Sequence, residues 1–170
     1  MVAANEGVAP LLAGVAPSLL GPGANVLRIS LHPQGLAPRL RNFRDWRRHV
    51  LARLARQIDA VPDPALVALL DELQGYPVPP HARPPTPSPD LYGGLAVPLE
   101  LAAGDGDRLL RFISTTTVFG TALDIGLSEL AIESFFPADA ETARALAELA
   151  RSARTVAGSS WPHPGSGGST

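Results

Sequence analysis

A proline-rich stretch divides this chain and limits its fold more than any other feature. Residues Tyr76–Asp90, YPVPPHARPPTPSPD, hold seven prolines. Proline lacks a backbone N–H and fixes φ, so such a segment forms neither a helix interior nor a central strand. We therefore expect a surface loop at 76–90 inside a single domain, 1–157. The low-complexity sequence of 158–170 predicts a disordered tail.

The block before this loop carries helical patterns. Four bulky apolar residues recur at the spacing of one helix face: Phe43, Trp46, Val50 and Leu54. They predict a helix over Leu40–Ala60. Asp63 is a good N-cap and is followed by a proline, which predicts a second helix over Pro64–Gln74 with Gly75 as the C′ residue. The segment Asn25–Leu31, NVLRISL, fits a short helix or a strand, and we favour the helix.

The block after the loop predicts a sheet and one helix. Three runs fit strands, and the first is confined to an edge or a bulge by its proline: Leu95–Leu101, Leu109–Phe119 and Leu127–Phe136. Glycine-rich turns between them favour pairing of neighbours in an antiparallel meander. Asp139 then caps a helix over Ala140–Arg154 whose expected buried side is Leu146, Leu149, Ala150 and Ala153.

Helices first, then a meander, then one helix is an α+β architecture. Side chains alternate along a strand, so one face of the second strand carries Phe112, Ser114, Thr116 and Val118, and one face of the third carries Leu130, Ile132 and Phe136. A sheet covered by helices on one side leaves a hollow of the kind that holds small ligands. We expect an apolar ligand site lined by Phe43, Trp46, Val50, Phe112, Val118 and Ile132.

Several classes of function are disfavoured by composition and motifs. The chain has no cysteine, its four histidines show no ligand spacing, and no G-x-S-x-G motif is present. We expect no catalytic residues, no metal and no cofactor. No apolar run reaches the roughly 18 residues of a membrane span, and the first residues do not look like a signal peptide, so a cytoplasmic protein without a membrane partner is expected.

The arginine cluster and Glu133 can each be interpreted in two ways from the sequence. An arginine cluster is either a patch for nucleic acid or for an acidic headgroup, or the solvated face of a helix balanced by Asp71, Glu72 and the acids of 141–148. Its members are Arg39, Arg41, Arg44, Arg47, Arg48, Arg53 and Arg56. Glu133 lies in the third strand, where it faces solvent or pairs across the sheet with a residue such as Arg111.

Two long stretches carry a resemblance. The run FISTTTVFGTALDIGLSELAIESFFPAD, Phe112–Asp139, and the run NVLRISLHPQGLAPRLRNFRDWRRHVLARL, Asn25–Leu54, resemble the MmyB-like transcription regulator ligand-binding domain; the opening VAAN is similar to the end of an early strand of that family. The resemblance covers about Val2–Ala150.

This resemblance implies a PAS-like fold at the C-terminus of XRE-family helix-turn-helix regulators from bacteria, and a hydrophobic ligand such as a fatty acid. No helix-turn-helix is recognised in the sequence, so contact with DNA is expected only indirectly, through such a module. The alternative is an interaction module that forms a homodimer, with a filled core and no ligand.

Overall fold

The computed structural model describes residues 7–86, 97–103, 108–118 and 131–158, with the backbone alone for 116–118, 131 and 152–158. In this part of the chain the helices are α1 (Val26–Leu31), α2 (Phe43–Ala60), α3 (Pro64–Gly75) and α4 (Ala140–Gly158). The strands are β1 (Leu99–Ala103), β2 (Arg108–Val118) and β3 (Ala131–Pro137). The predicted α+β order of helices, sheet and final helix is confirmed.

Polar caps fix where three of the helices begin. Asn25 Oδ1 accepts hydrogen bonds from two backbone N–H groups of α1, at 2.9 and 3.1 Å, so the NVLRISL segment is a helix. Asp63 accepts one from the first turn of α3 at 2.8 Å. Asp139 accepts one from the first turn of α4 at 2.7 Å. Each bond satisfies a backbone donor that has no partner inside its helix.

The sheet has the order β1-β2-β3 with both pairs antiparallel, so the predicted meander is confirmed. The first strand is shifted: it begins at Leu99 and ends at Ala103, where we expected Leu95–Leu101. Pro98 lies just before it, since a proline cannot donate to a strand ladder. The predicted starts at Leu95 and Leu127, and the turn at 104–106, lie outside the described residues.

A short segment before α2 covers the free edge of β1. Leu40 forms an antiparallel bridge with Leu101, and the Arg41 N–H donates to the Glu100 carbonyl at 3.0 Å. The Asn42 side chain donates from Nδ2 to the Pro98 carbonyl at 2.7 Å, and its Oδ1 accepts from the Glu100 N–H at 3.1 Å. Because the Leu40 backbone is extended, α2 begins at Phe43 and not at the predicted Leu40. The contact protects an edge that would otherwise expose unpaired N–H and C=O groups.

One buried cluster holds the helices on the sheet. The predicted face of α2 is buried in it, together with residues of α3, β1, β2 and α4. Among the described side chains of α4, Thr142 and Ala145 are buried, while Leu146 and Leu149 pack at the border of the cluster. Thr142 Oγ1 accepts a hydrogen bond from the Arg111 N–H at 3.0 Å. Helix α4 also runs four residues past its predicted end, and α3 includes Gly75.

Candidate ligand site

The sheet face that looks into the core is apolar near the start of β2 and carries polar residues at Ser114 and at the pair of Thr116 with Glu133. Leu99 and Leu101 of β1 pair with Phe112 and Leu110 of β2, and all four are at most 5% exposed. Two residues further along β2 on the same face lies Ser114, which is half-buried. The next positions of this face pair Thr116 with Glu133 and Val118 with Ala131. We call this surface the interior face.

Four of the six predicted lining residues lie together in the buried cluster. Phe43, Trp46, Val50 and Phe112 are between 0% and 3% exposed. Val118 shares the interior face by strand alternation, and its side chain lies outside the described part of the chain. Whether these residues contact a ligand stays a prediction.

The sixth residue points the other way. Ile132 pairs with Thr117 and is 47% exposed, so it lies on the face opposite to Phe112. The expectation that Ile132 lines the same interior as Phe112 is wrong. Phe135 lies there instead: it pairs with Ser114, packs against the core, and its ring centroid is 6.3 Å from that of Phe112 in an edge-on arrangement. Both faces of β3 carry large apolar residues, so only the register with β2 distinguishes them.

The Trp46 side chain is held by a buried hydrogen bond. Its indole Nε1–H donates to Ser30 Oγ of α1 at 2.7 Å, and both residues are at most 6% exposed. An indole N–H buried without an acceptor is costly, so this bond fixes the ring orientation and joins α1 to α2. Ser30 was not among the predicted site residues, because an isolated serine in a helix carries no sequence signal.

An ion pair joins α2 to the polar positions of the interior face. Arg53 lies 3.3 Å from Glu133, whose side chain is 17% exposed. Glu133 therefore faces the interior and pairs with a helix, whereas we expected solvent or a cross-strand partner such as Arg111. Arg111 lies 3.6 Å from Glu100 and 3.4 Å from Asp139 instead.

His49 lies on α2 one turn before Arg53. Its ring centroid is 5.8 Å from that of Trp46. Burial lowers the pKa of His49 from its ordinary value of 6.5, and the positive charges of Arg53 and Arg56 lower it further. The lowered pKa favours the neutral imidazole, which offers one donor and one acceptor beside the aromatic ring.

Two other charged clusters hold the fold together. Asp45 is buried at the start of α2, where it accepts hydrogen bonds from the Thr86 N–H and hydroxyl and pairs with Arg48 at 2.7 Å. This contact fastens the proline-rich loop to α2. Glu72 of α3 accepts two bonds from Arg28 Nε and one from its Nη2, all within 3.0 Å, and one from the Tyr76 hydroxyl. This second cluster fastens α1 to α3.

Among the described residues, no group of three or more His, Asp or Glu side chains is arranged to hold a metal ion. None of the helices in this part of the chain combines the length and apolar character needed to cross a membrane.

A family model described as the MmyB-like transcription regulator ligand binding domain matches residues 1–149. No curated protein and no solved structure matches the chain.

Proposed function

Because the chain belongs to the family of MmyB-like transcription regulator ligand binding domains, we propose that it senses an amphiphilic small molecule with a long apolar part, such as a fatty acid. The bound ligand lies between α2 and the interior face. The sensing domain spans 1–157, acts on DNA through a separate DNA-binding module, and works in the cytoplasm.

The polar positions beside the apolar part of the interior face carry this proposal. Phe112 and Phe135 offer aromatic surface to a hydrocarbon chain, and Trp46 lies in the same cluster as Phe112. Beyond Phe112 the interior face carries Ser114 and then Glu133, the partner of Arg53. His49 lies one turn before Arg53 on α2, so a carboxylate near Arg53 finds a cation and hydrogen-bond donors. A purely apolar ligand would make no use of these groups, whereas a carboxylate gains charge-assisted hydrogen bonds from them.

The Arg53–Glu133 pair supplies a route from binding to signalling. It joins α2 to β3 directly, so a ligand carboxylate that competes with Glu133 for Arg53 changes how the helix and the strand are held. A ligand shifts a conformational equilibrium only through different contacts in the two states. Exchange of one carboxylate for another at Arg53 is such a difference.

Thermal unfolding of the purified chain with palmitic acid, hexadecanol and methyl palmitate tests this function. A ligand that binds only the folded state stabilises it by about 2.7 kcal/mol at a hundred times its Kd, so we expect the acid to raise Tm most. Ser114→Phe places a ring on the interior face and should abolish the shift. Thr115→Phe is the matched control, because Thr115 is exposed on the opposite face, and it should keep the shift.

A protein-interaction module remains the second candidate function, because the outer face of the sheet exposes large apolar side chains. Ile132 and Phe136 are 47% and 54% exposed there, and Ile113 pairs with Phe136 on the same side. If no amphiphile shifts Tm, if lipid extracts of the protein contain no bound molecule, and if Phe136→Glu converts a dimer to a monomer in analytical ultracentrifugation, the sensing proposal fails and the interaction module replaces it.

A further inference from the structure

Helix α2 is strongly basic in a chain that is slightly acidic. It holds five arginines against two aspartates, whereas the whole chain has a net charge of −2. Three of these arginines lie on one exposed ridge whose positions recur every four residues. The ridge consists of Arg44, Arg48, Ala52 and Arg56. We call these four residues the arginine ridge.

The ridge is not explained by charge balance within the fold. Glu72 pairs with Arg28, and Glu148 pairs with Arg108, so two of the acids that a balanced helix face would need are engaged elsewhere. Within the described residues, neither Arg44 nor Arg56 takes part in a hydrogen bond or ion pair. Arg48 bridges Asp45, yet its side chain remains 52% exposed.

The position of Arg44 also works against stability. It is the second residue of α2, where the N-terminal end of the helix dipole is positive and a cation is disfavoured. The related arginines of the same stretch are different: Arg39 donates to three backbone carbonyls, and Arg47 donates to the carbonyl of Gln74. Those two hold the fold together, while the ridge offers its charge to the surface.

We propose that the arginine ridge docks on the phosphate backbone of duplex DNA. Residues four apart rise about 6 Å along a helix. One strand of B-DNA rises about 3.4 Å along the duplex axis per phosphate and also winds round that axis, so neighbouring phosphates lie farther apart than this rise and a ridge with this step can follow them. Ala52 occupies the middle of the ridge and lets the helix approach closely. The guanidinium group binds phosphate oxygens in a two-point geometry.

This contact goes beyond ligand sensing and does not depend on it. It reads no bases, because contacts to phosphate oxygens position a protein on the duplex and carry no sequence information directly. In a regulator of transcription it adds affinity beside the operator contacts made by another module. Binding of the isolated chain is therefore weak, dependent on salt and indifferent to sequence.

Fluorescence anisotropy with a labelled 25-base-pair duplex tests the proposal, with NaCl varied upward from about 20 mM. The wild-type chain should bind with a linear fall of log K against log salt. Arg44→Gln with Arg56→Gln should lower the affinity about tenfold at low salt and reduce the slope by about 1.8, since each phosphate contact contributes about 0.9. Arg44→Lys with Arg56→Lys keeps the charges and should retain most of the slope.

The matched control removes two arginines from α4, Arg144→Gln with Arg151→Gln, both exposed. It changes net charge equally and should leave the slope unchanged. The glutamine variant of the ridge should melt at the wild-type temperature or slightly above it. Four results each overturn the proposal: no salt-dependent binding by the wild type, equal losses in ridge and control variants, a lower Tm of the ridge variant, or tighter binding to phosphatidylglycerol vesicles than to DNA.

Discussion

Trp46 of α2 donates its indole proton to Ser30 of α1 inside the core, over 2.7 Å. Both residues are at most 6% exposed, so water does not replace either partner. This hydrogen bond fixes the orientation of α1 relative to α2, because a directional bond restricts their geometry more than apolar packing alone.

Removing only the acceptor of the Trp46–Ser30 hydrogen bond should lower the free energy of unfolding more than removing the acceptor and the N–H donor together. Ser30→Ala leaves the Trp46 N–H buried without a partner, and we expect a loss of about 1–3 kcal/mol in the free energy of unfolding. Trp46→Phe in the Ser30→Ala background removes the orphaned donor and should recover part of that loss. Urea denaturation of the four proteins of this double-mutant cycle gives the coupling. Additive effects would show that the bond contributes nothing.

The two neighbouring phenylalanines of β3 should respond differently to truncation. Phe135 packs against the core, and Phe136 is 54% exposed. We expect Phe135→Ala to lower the free energy of unfolding by about 2–3 kcal/mol, somewhat less than a fully buried phenylalanine, and Phe136→Ala to lower it by less than about 1 kcal/mol. Equal losses in urea denaturation would contradict the observed register.

Stability should fall at both ends of the pH range through the Arg28–Glu72–Tyr76 cluster. The hydrogen bonds from Arg28 and Tyr76 hold the pKa of Glu72 below its ordinary value of 4.5, so the stability it contributes is lost as pH falls below about that value. Burial and the bond to Glu72 raise the pKa of Tyr76 from 10.0 to about 12. The folded state then keeps a proton that the unfolded state loses, so stability declines as pH rises from 10 to 12.

Two variants separate these limbs. Glu72→Gln should flatten the acid limb of a plot of Tm against pH, and Tyr76→Phe should flatten the alkaline limb. His32, whose ring lies 5.0 Å from that of Tyr76, is the control. His32→Asn should leave the alkaline limb in place and change the acid limb only slightly, because the charge of His32 is the smallest of the causes that lower the pKa of Glu72. If the acid limb persists in Glu72→Gln, another carboxylate is responsible.

Removal of Glu133 should strengthen binding of an acidic amphiphile. Glu133→Gln takes a competing charge from Arg53, so we expect palmitic acid to bind several-fold more tightly, while methyl palmitate is unaffected. Arg53→Gln should weaken binding of the acid by about tenfold, since a charge-assisted bond contributes about 1.5 kcal/mol or more. Isothermal titration calorimetry measures both. The same response of acid and ester would place the headgroup elsewhere.

The sequence alone determined the elements and their order. The stripe on α2, the caps at Asp63 and Asp139 and the β-branched run of β2 are local signals, because capping and period depend on residues within one turn or one strand. The buried state of Phe43, Trp46, Val50 and Phe112 followed from the same patterns. The resemblance in two long runs predicted the family, which the match over residues 1–149 supports.

Only the tertiary structure decided which face of β3 looks inward and which charges meet. Ile132, Phe135 and Phe136 are all large and apolar, so alternation fits either orientation until Ser114 is paired with Phe135. Arg53 and Glu133 are 80 residues apart in sequence, and so are joined by no local rule. The hydrogen bond between Trp46 and Ser30 and the bridge between Leu40 and Leu101 likewise join segments that are distant in sequence. A contact between distant segments depends on register and helix placement, and these are fixed by the packing of the whole core.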